Sequence, residues 1–285
     1  MILIADNLQI TRQIVSDAIQ HQNPDTLQTL VRAMEAAGAE AIDLNTGPLG
    51  RDAARQMTFC VETVQAATDL PLLIDTANPE AMKAGLEANR KVVVINGISL
   101  EPQKLGSILP LAVTYDVDII GYLLDERSQM PPNLDERMAI ALALLQRGLA
   151  AGLRSEQLIL DPVVAPLIWQ DGLQRNRDLL EIIRRLPQLF DFPVRPVAGL
   201  SNLTTGQQAL GPKQRLEQTY LSMLASAGLS WVLLDIHHRE TVTSAGLCRR
   251  VLRDEVFAWT TGAMTVSPEE HVGLSGGWLW CGDGV

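Results

Sequence analysis

With 47% hydrophobic and 20% charged residues in 285, the chain can bury a large core, and disorder is excluded as its main state. A formal charge of -10 argues against nucleic acid or an anionic membrane surface as partner, because both call for clustered Lys and Arg. A small ligand or a protein partner remains.

The first apolar run, Ile2–Ala5, stops at Asp6. A run so short, closed so soon by an acid, reads as neither a signal peptide nor a membrane span, so a cytoplasmic location is expected. A helix is predicted over Asp25–Ala37, where Leu27, Leu30, Val31 and Met34 fall on one face at three- and four-residue spacing. Short apolar runs then recur at Ala41–Leu44, Leu72–Ile74, Val92–Ile95 and Asp118–Leu123. A second clear helix is predicted over Asn133–Ala151, with Asp135 and Glu136 in its first turn and Gly152 as its stop. Runs at Leu158–Leu160, Arg195–Ala198 and Trp231–Leu234 follow, and a helix over Lys213–Ala227 ends before Gly228.

Each run is too short for a helix, and most are rich in Val, Ile and Leu, as parallel strands buried on both faces should be. Eight strand–helix units imply right-handed crossovers and a closed (β/α)8 TIM barrel, an α/β fold. No GxGxxG follows any strand, which removes the usual support for an open nucleotide-binding sheet. The expected organisation is one barrel domain over residues 1–259 and a short C-terminal extension over 260–285, with Gly273–Gly277 rich in Gly and Ser and with Trp278, Trp280 and Cys281 near its end. The cysteines, Cys60, Cys248 and Cys281, are odd in number and lack CxxC spacing, so neither a disulfide framework nor a thiolate metal site is expected.

In such barrels chemistry sits where strands end. Asp43 and Asn45 close the second run, Asp75 the third, Asn96 the fourth, Asp161 the sixth and Asp235 the eighth, while Asn202 follows the seventh. Any one of these can cap a helix. Asp75, Asn96, Asp161 and Asn202 together form a ring of hydrogen-bonding groups at an apolar mouth, which is costly unless a ligand or a partner satisfies it. Carboxylates accept and amides do both, so the ring suits an edge such as a 2-amino-4-oxo-pyrimidine, whose N–H groups flank a carbonyl. Asp43 and Asn45 are read as support that shapes a loop, and Asp235 equally as a cap. No third residue is spaced to make His237 and His238 part of a metal site, and no GxSxG elbow marks a nucleophile.

These stretches resemble the pterin-binding family, which holds dihydropteroate synthases and methyltetrahydrofolate:corrinoid methyltransferases. The matching segments are Ala41-Ile-Asp-Leu-Asn-Thr-Gly-Pro48, Leu73-Ile-Asp-Thr-Ala-Asn78, Val94-Ile-Asn-Gly97, Leu158-Ile-Leu-Asp-Pro162 and Gly199-Leu-Ser-Asn202. The resemblance is closer to the methyltransferases, above all the one serving the corrinoid/iron-sulfur protein. It implies that Asp75, Asn96 and Asp161 bind the pterin ring and that Asn202 assists at N5. The methyl group of methyltetrahydrofolate would then pass to the Co(I) of a cobalamin-type corrinoid on a separate protein, and the enzyme would be a homodimer. Two alternatives stay open: a pterin- or folate-binding protein without corrinoid methyl transfer, and a dihydropteroate-synthase-like enzyme. The synthases carry Gly-x-Ser-Arg-Lys after the seventh strand, whereas Gly199-Leu-Ser-Asn-Leu-Thr204 has no base there. The methyltransferases open with Gly-Glu-Arg-Ile-Asn, whereas this chain has Ala5-Asp-Asn-Leu-Gln9. Thr205 stands where they have Gln, and Gln218 where an Arg is expected.

Overall fold

A computed structural model describes residues 1–47, 49–50, 52–207 and 209–252. The strands are β1 (Ile2–Gln9), β2 (Ala41–Asn45), β3 (Leu72–Asp75), β4 (Val93–Ile98), β5 (Asp118–Tyr122), β6 (Leu158–Asp161), β7 (Arg195–Gly199) and β8 (Trp231–Leu234). Between them run α1 (Gln13–Gln20), α2 (Pro24–Ala36), α3 (Ala53–Gln65), α4 (Pro79–Ala88), α5 (Pro102–Ser107), α6 (Leu109–Tyr115), α7 (Leu134–Ala151), α8 (Gly172–Leu189) and α9 (Leu210–Ala227), with α10 (Arg239–Leu252) after β8. Every strand pairs in parallel with the next, and β8 pairs with β1, so the sheet closes into the expected (β/α)8 barrel. The extension over 260–285, the end of the predicted barrel domain and Cys281 lie outside the described residues.

The helix boundaries follow from local chemistry. Asn133 accepts the Glu136 N–H at 2.8 Å to start α7, and Gly152 ends it with φ +100°, a conformation a Cβ resists. Asn78 caps α4 ahead of Pro79, whose missing N–H costs nothing in a first turn. The third clear helix begins three residues before the expected Lys213, at Leu210, because Pro212 is tolerated in its first turn.

Strand alternation divides the core in two. One set of side chains (Ile4, Ala41, Leu73, Val94, Ile120, Ile159 and Val197) fills the barrel interior. The alternate set, including Leu3, Ile42, Leu72, Ile95, Ile119, Leu158 and Val232, meets the helices. At the N-terminal end Arg195 pairs with Asp118 at 2.7 Å and lies over the Trp231 ring, which closes the floor.

Two irregularities shape the mouth. On β1 the register steps from Ala5 opposite Ile42 to Leu8 opposite Leu44, so β1 holds one extra residue at Asp6–Asn7. The strand thus runs to Gln9, past the Ala5 end expected from polarity, because Asp6 and Asn7 find partners at the mouth. On β4 the step from Asn96 opposite Ile120 to Ile98 opposite Gly121 makes a second bulge at Gly97. Such bulges re-aim side chains beside sites.

Candidate functional site

Strand period places residues i and i+2 on one face. Two positions on from the interior residues Ile4, Ala41, Leu73, Val94, Ile120, Ile159, Val197 and Leu233 come Asp6, Asp43, Asp75, Asn96, Tyr122, Asp161, Gly199 and Asp235. Every strand therefore carries an apolar plug residue and then a polar side chain or glycine at the mouth. Asn45 adds a further inward position on β2, in register with Asp75 on β3, which is in register with Asn96 on β4.

Hydrogen bonds join these groups. Asn45 Nδ2 donates to Asp75 Oδ2 at 2.6 Å, while Asn45 Oδ1 accepts the Gly47 N–H at 3.2 Å. Asn96 Nδ2 donates to Asp43 Oδ1 at 2.9 Å, and the Tyr122 hydroxyl donates to Asn96 Oδ1 at 2.5 Å. Asp161 Oδ1 accepts the Val163 N–H at 2.7 Å. Asp43 and Asn45 thus support and orient Asn96 and Asp75, in addition to shaping the Gly47 turn. On the far side, Ser201 Oγ donates to Asp6 Oδ2 at 2.9 Å, and Asn7 Nδ2 donates to Asp235 Oδ1 at 2.6 Å. Asp235 also accepts the His237 N–H at 3.1 Å, so its capping role is present too.

Burial makes these carboxyls reluctant to ionise. Asp75 and Asp161 are each pushed up to about 7, chiefly by desolvation, against the pull of Lys104 on the first and of the Val163 N–H and Arg137 on the second. Asp6 rises to about 6 through burial, with its bond from Ser201 opposing. Asp43 is raised well above the usual carboxylate range by complete burial and then by the neighbouring Asp75 charge. Near neutral pH the mouth therefore holds carboxyls poised to give up protons to water when a ligand presents N–H donors.

Asn202 stands apart from that network. It lies in a 3-10 turn, Leu200–Thr204, just beyond β7, and it is exposed. Its side chain has no hydrogen-bond partner among the described residues, and a Cβ built on Gly199 would sit 3.2 Å from its Nδ2. A larger residue at 199 would crowd both the mouth and Asn202. Thr205 is exposed on the turn that follows. Among the described residues no three His, Cys, Asp or Glu groups are placed to hold a metal ion.

The candidates read from strand ends omit Asp6, Asn7 and Ser201, although an acid closing the first run was visible, and three further contributors escaped that reading. Tyr122 read as part of an apolar run; counting two residues on from Ile120 finds it. Gly199 supplies space rather than a group. Arg137 on α7 is fully buried, donates to the Pro162 and Arg175 carbonyls, and is pulled down to about 10 by burial. It holds the chain next to Asp161, and nothing in its helical sequence context marks it.

The sequence profile described as pterin binding enzyme matches residues 7–235, from the end of β1 through the end of β8. The chain belongs to the pterin binding enzyme family. Within curated proteins it is similar to the methylcorrinoid:tetrahydrofolate methyltransferase of Eubacterium limosum, at 23% identity over 84% of this chain and 87% of that enzyme. It is also similar to the methionine synthase of Mycobacterium tuberculosis, at 22% identity over 67% of this chain and 16% of that longer protein. A solved dihydropteroate synthetase with a product superposes with a TM-score of 0.68 at 18% identity, over 88% of this chain and 94% of its own. The Yersinia pestis dihydropteroate synthase bound to a pterine-sulfa conjugate gives 0.63 at 19% identity, over 89% and 94%. At these identities the two structures show that the barrel fold is shared.

Proposed function

We propose that this family member moves a methyl group between N5 of a tetrahydrofolate and the cobalt of a corrinoid carried by a separate protein, with Asp75, Asn96 and Asp161 binding the pterin and Asn202 acting at N5. The observation that carries this reading is the pairing of a buried acceptor ring with a free amide above it. A 2-amino-4-oxo-pyrimidine edge presents N–H donors that the Asp75 and Asp161 carboxylates can accept. Asn96, held by Asp43 and Tyr122, meets the adjoining ring atoms. The unbonded, exposed Asn202 amide is then available to the reacting atom.

In the forward direction the N5–CH3 bond breaks, the methyl carbon bonds to Co(I), and N5 keeps the electron pair and takes up a proton. An amine leaves poorly, so a hydrogen bond that strengthens as charge builds on N5 lowers the barrier. One such donor contributes on the order of 3 kcal/mol. The name of the Eubacterium limosum relative gives the reverse transfer, which uses the same two partners. The lack of Arg and Lys in Gly199–Thr204 weighs against a diphosphate leaving group and so against synthase chemistry.

The test mixes purified protein with methyltetrahydrofolate and free cob(I)alamin, and follows methylcobalamin by absorbance; the reverse mixture is run alongside. Transfer in either direction supports the proposal. Binding of both folates without transfer in either direction, to free cobalamin or to a corrinoid protein, would leave a folate-binding protein and refute the enzyme reading.

A further inference from the structure

Tyr122 is the one aromatic residue in the polar ring. Its position on β5 is inward, in register with Asp161 on β6, and its hydroxyl reaches across to Asn96 on β4. Burial above all, and then the charges of Asp75, Asp161 and Asp43, disfavours its ionisation, so the phenol stays a donor.

An asparagine amide offers one acceptor oxygen and two N–H donors. Here the Tyr122 O–H takes one of the oxygen's two lone pairs at 2.5 Å, and Asp43 takes one N–H at 2.9 Å. The second N–H has no partner among the described residues. With the Asp43 oxygen acting as acceptor, as its bond from Asn96 Nδ2 requires, reversing the amide would set oxygen against oxygen there, so the three side chains hold the arrangement in which the phenol donates. Without the hydroxyl, Asn96 keeps only its bond to Asp43, and its carbonyl oxygen is left buried and unpaired.

We infer that Tyr122 is a positioning residue. It fixes the Asn96 amide so that a single N–H is left for the ligand, and Asn96 therefore reads a hydrogen-bond acceptor on the pterin ring. The inference rests on the pterin reading of the site.

The test is a double-mutant cycle with tetrahydrofolate as the probe, measured by calorimetry on wild type, Y122F, N96A and Y122F/N96A. The expected result is about a tenfold rise in Kd for Y122F, the size of one lost hydrogen-bond contribution, with a melting temperature within a few degrees of wild type. In the N96A background the same change should move Kd by less than about twofold, because Tyr122 then has nothing to position. Failure of wild type to bind tetrahydrofolate would overturn the functional reading itself. If wild type binds, an unchanged Kd in Y122F, or an equal loss in both backgrounds, would overturn only the role of Tyr122. If N96A does not fold, side-chain amide spectra of 15N-asparagine-labelled protein decide. A sharp, slowly exchanging Asn96 pair that broadens in Y122F supports the inference, and an identical pair in both proteins refutes it.

Discussion

Replacing Asp161 by Asn should stabilise the empty protein at pH 8 while destroying folate binding. Burial lifts the Asp161 carboxyl from 3.8 to about 7, and the group is only 6% exposed. Its folded-state value is raised, so between pH 4 and 7 the folded protein keeps a proton that the unfolded chain has released. Stability therefore falls as pH rises through that window, then levels off above about 7. At about 1.4 kcal/mol for each pH unit the gap amounts to about 4 kcal/mol. The amide of the Asp161→Asn variant carries no charge to bury, so the variant should gain up to about 4 kcal/mol over wild type at pH 8 and almost nothing near pH 4. Urea unfolding of both proteins at pH 4, 6 and 8 measures the difference directly. Binding should move the opposite way. A ligand with two N–H groups needs the ionised carboxylate, so below about pH 7 wild-type affinity should weaken by about tenfold for each pH unit through Asp161, and by up to about a hundredfold once the ionisation of Asp75 is included. The variant presents an N–H where an acceptor is needed and should not bind. A stability gap that does not change with pH, or a variant less stable than wild type at pH 8, would refute the account of Asp161 as an unwillingly buried charge.

Asn202→Ala should cut methyl transfer by about one to three powers of ten, as for the loss of one transition-state donor. Because its side chain is exposed and unbonded, the melting temperature should not change; an unchanged rate would remove Asn202 from the mechanism. Asn45→Ala removes the 2.6 Å donor that holds Asp75, and should weaken tetrahydrofolate binding by about tenfold in calorimetry, while the lost bond from the Gly47 N–H to Asn45 Oδ1 loosens the Gly47 turn in backbone NMR. Gly97→Ala would place a Cβ 2.5 Å from the Ile120 carbonyl oxygen, so the β4–β5 bulge must shift. Denaturant unfolding should show a loss above about 2 kcal/mol, within the range of overpacking and backbone effects.

Much of the architecture was legible because it is local. The Val-, Ile- and Leu-rich runs, the cap at Asn133 and the stops at Gly152 and Gly228 announce strands and helices through neighbours a few residues away. The mouth positions Asp43, Asn45, Asp75, Asn96 and Asp161 were also legible, because a polar residue ending an apolar run stands out in a one-dimensional pattern, and the structure brings these five together. Asn202 was singled out by the same means, and the structure sets it outside their hydrogen-bond network, on the turn above Gly199.

Tyr122 was hidden by chemistry: an aromatic residue belongs in an apolar run, and only the bond to an amide 26 positions earlier reveals its polar end. Arg137 was hidden by its helix, whose pattern does not show that its guanidinium points inward to the Pro162 carbonyl. The two bulges, the β1–β8 seam and the long-range pair Asn7–Asp235 likewise depend on residues far apart in the chain. The amino-acid sequence by itself determined eight apolar strands, each ending in a polar or small residue, because burial and hydrogen bonding act on the run and its immediate flanks. Only the closed tertiary structure decided which of those polar ends would share protons, which would orient another and which would be left free, because those outcomes depend on the register across neighbouring strands and on the desolvation that closure imposes.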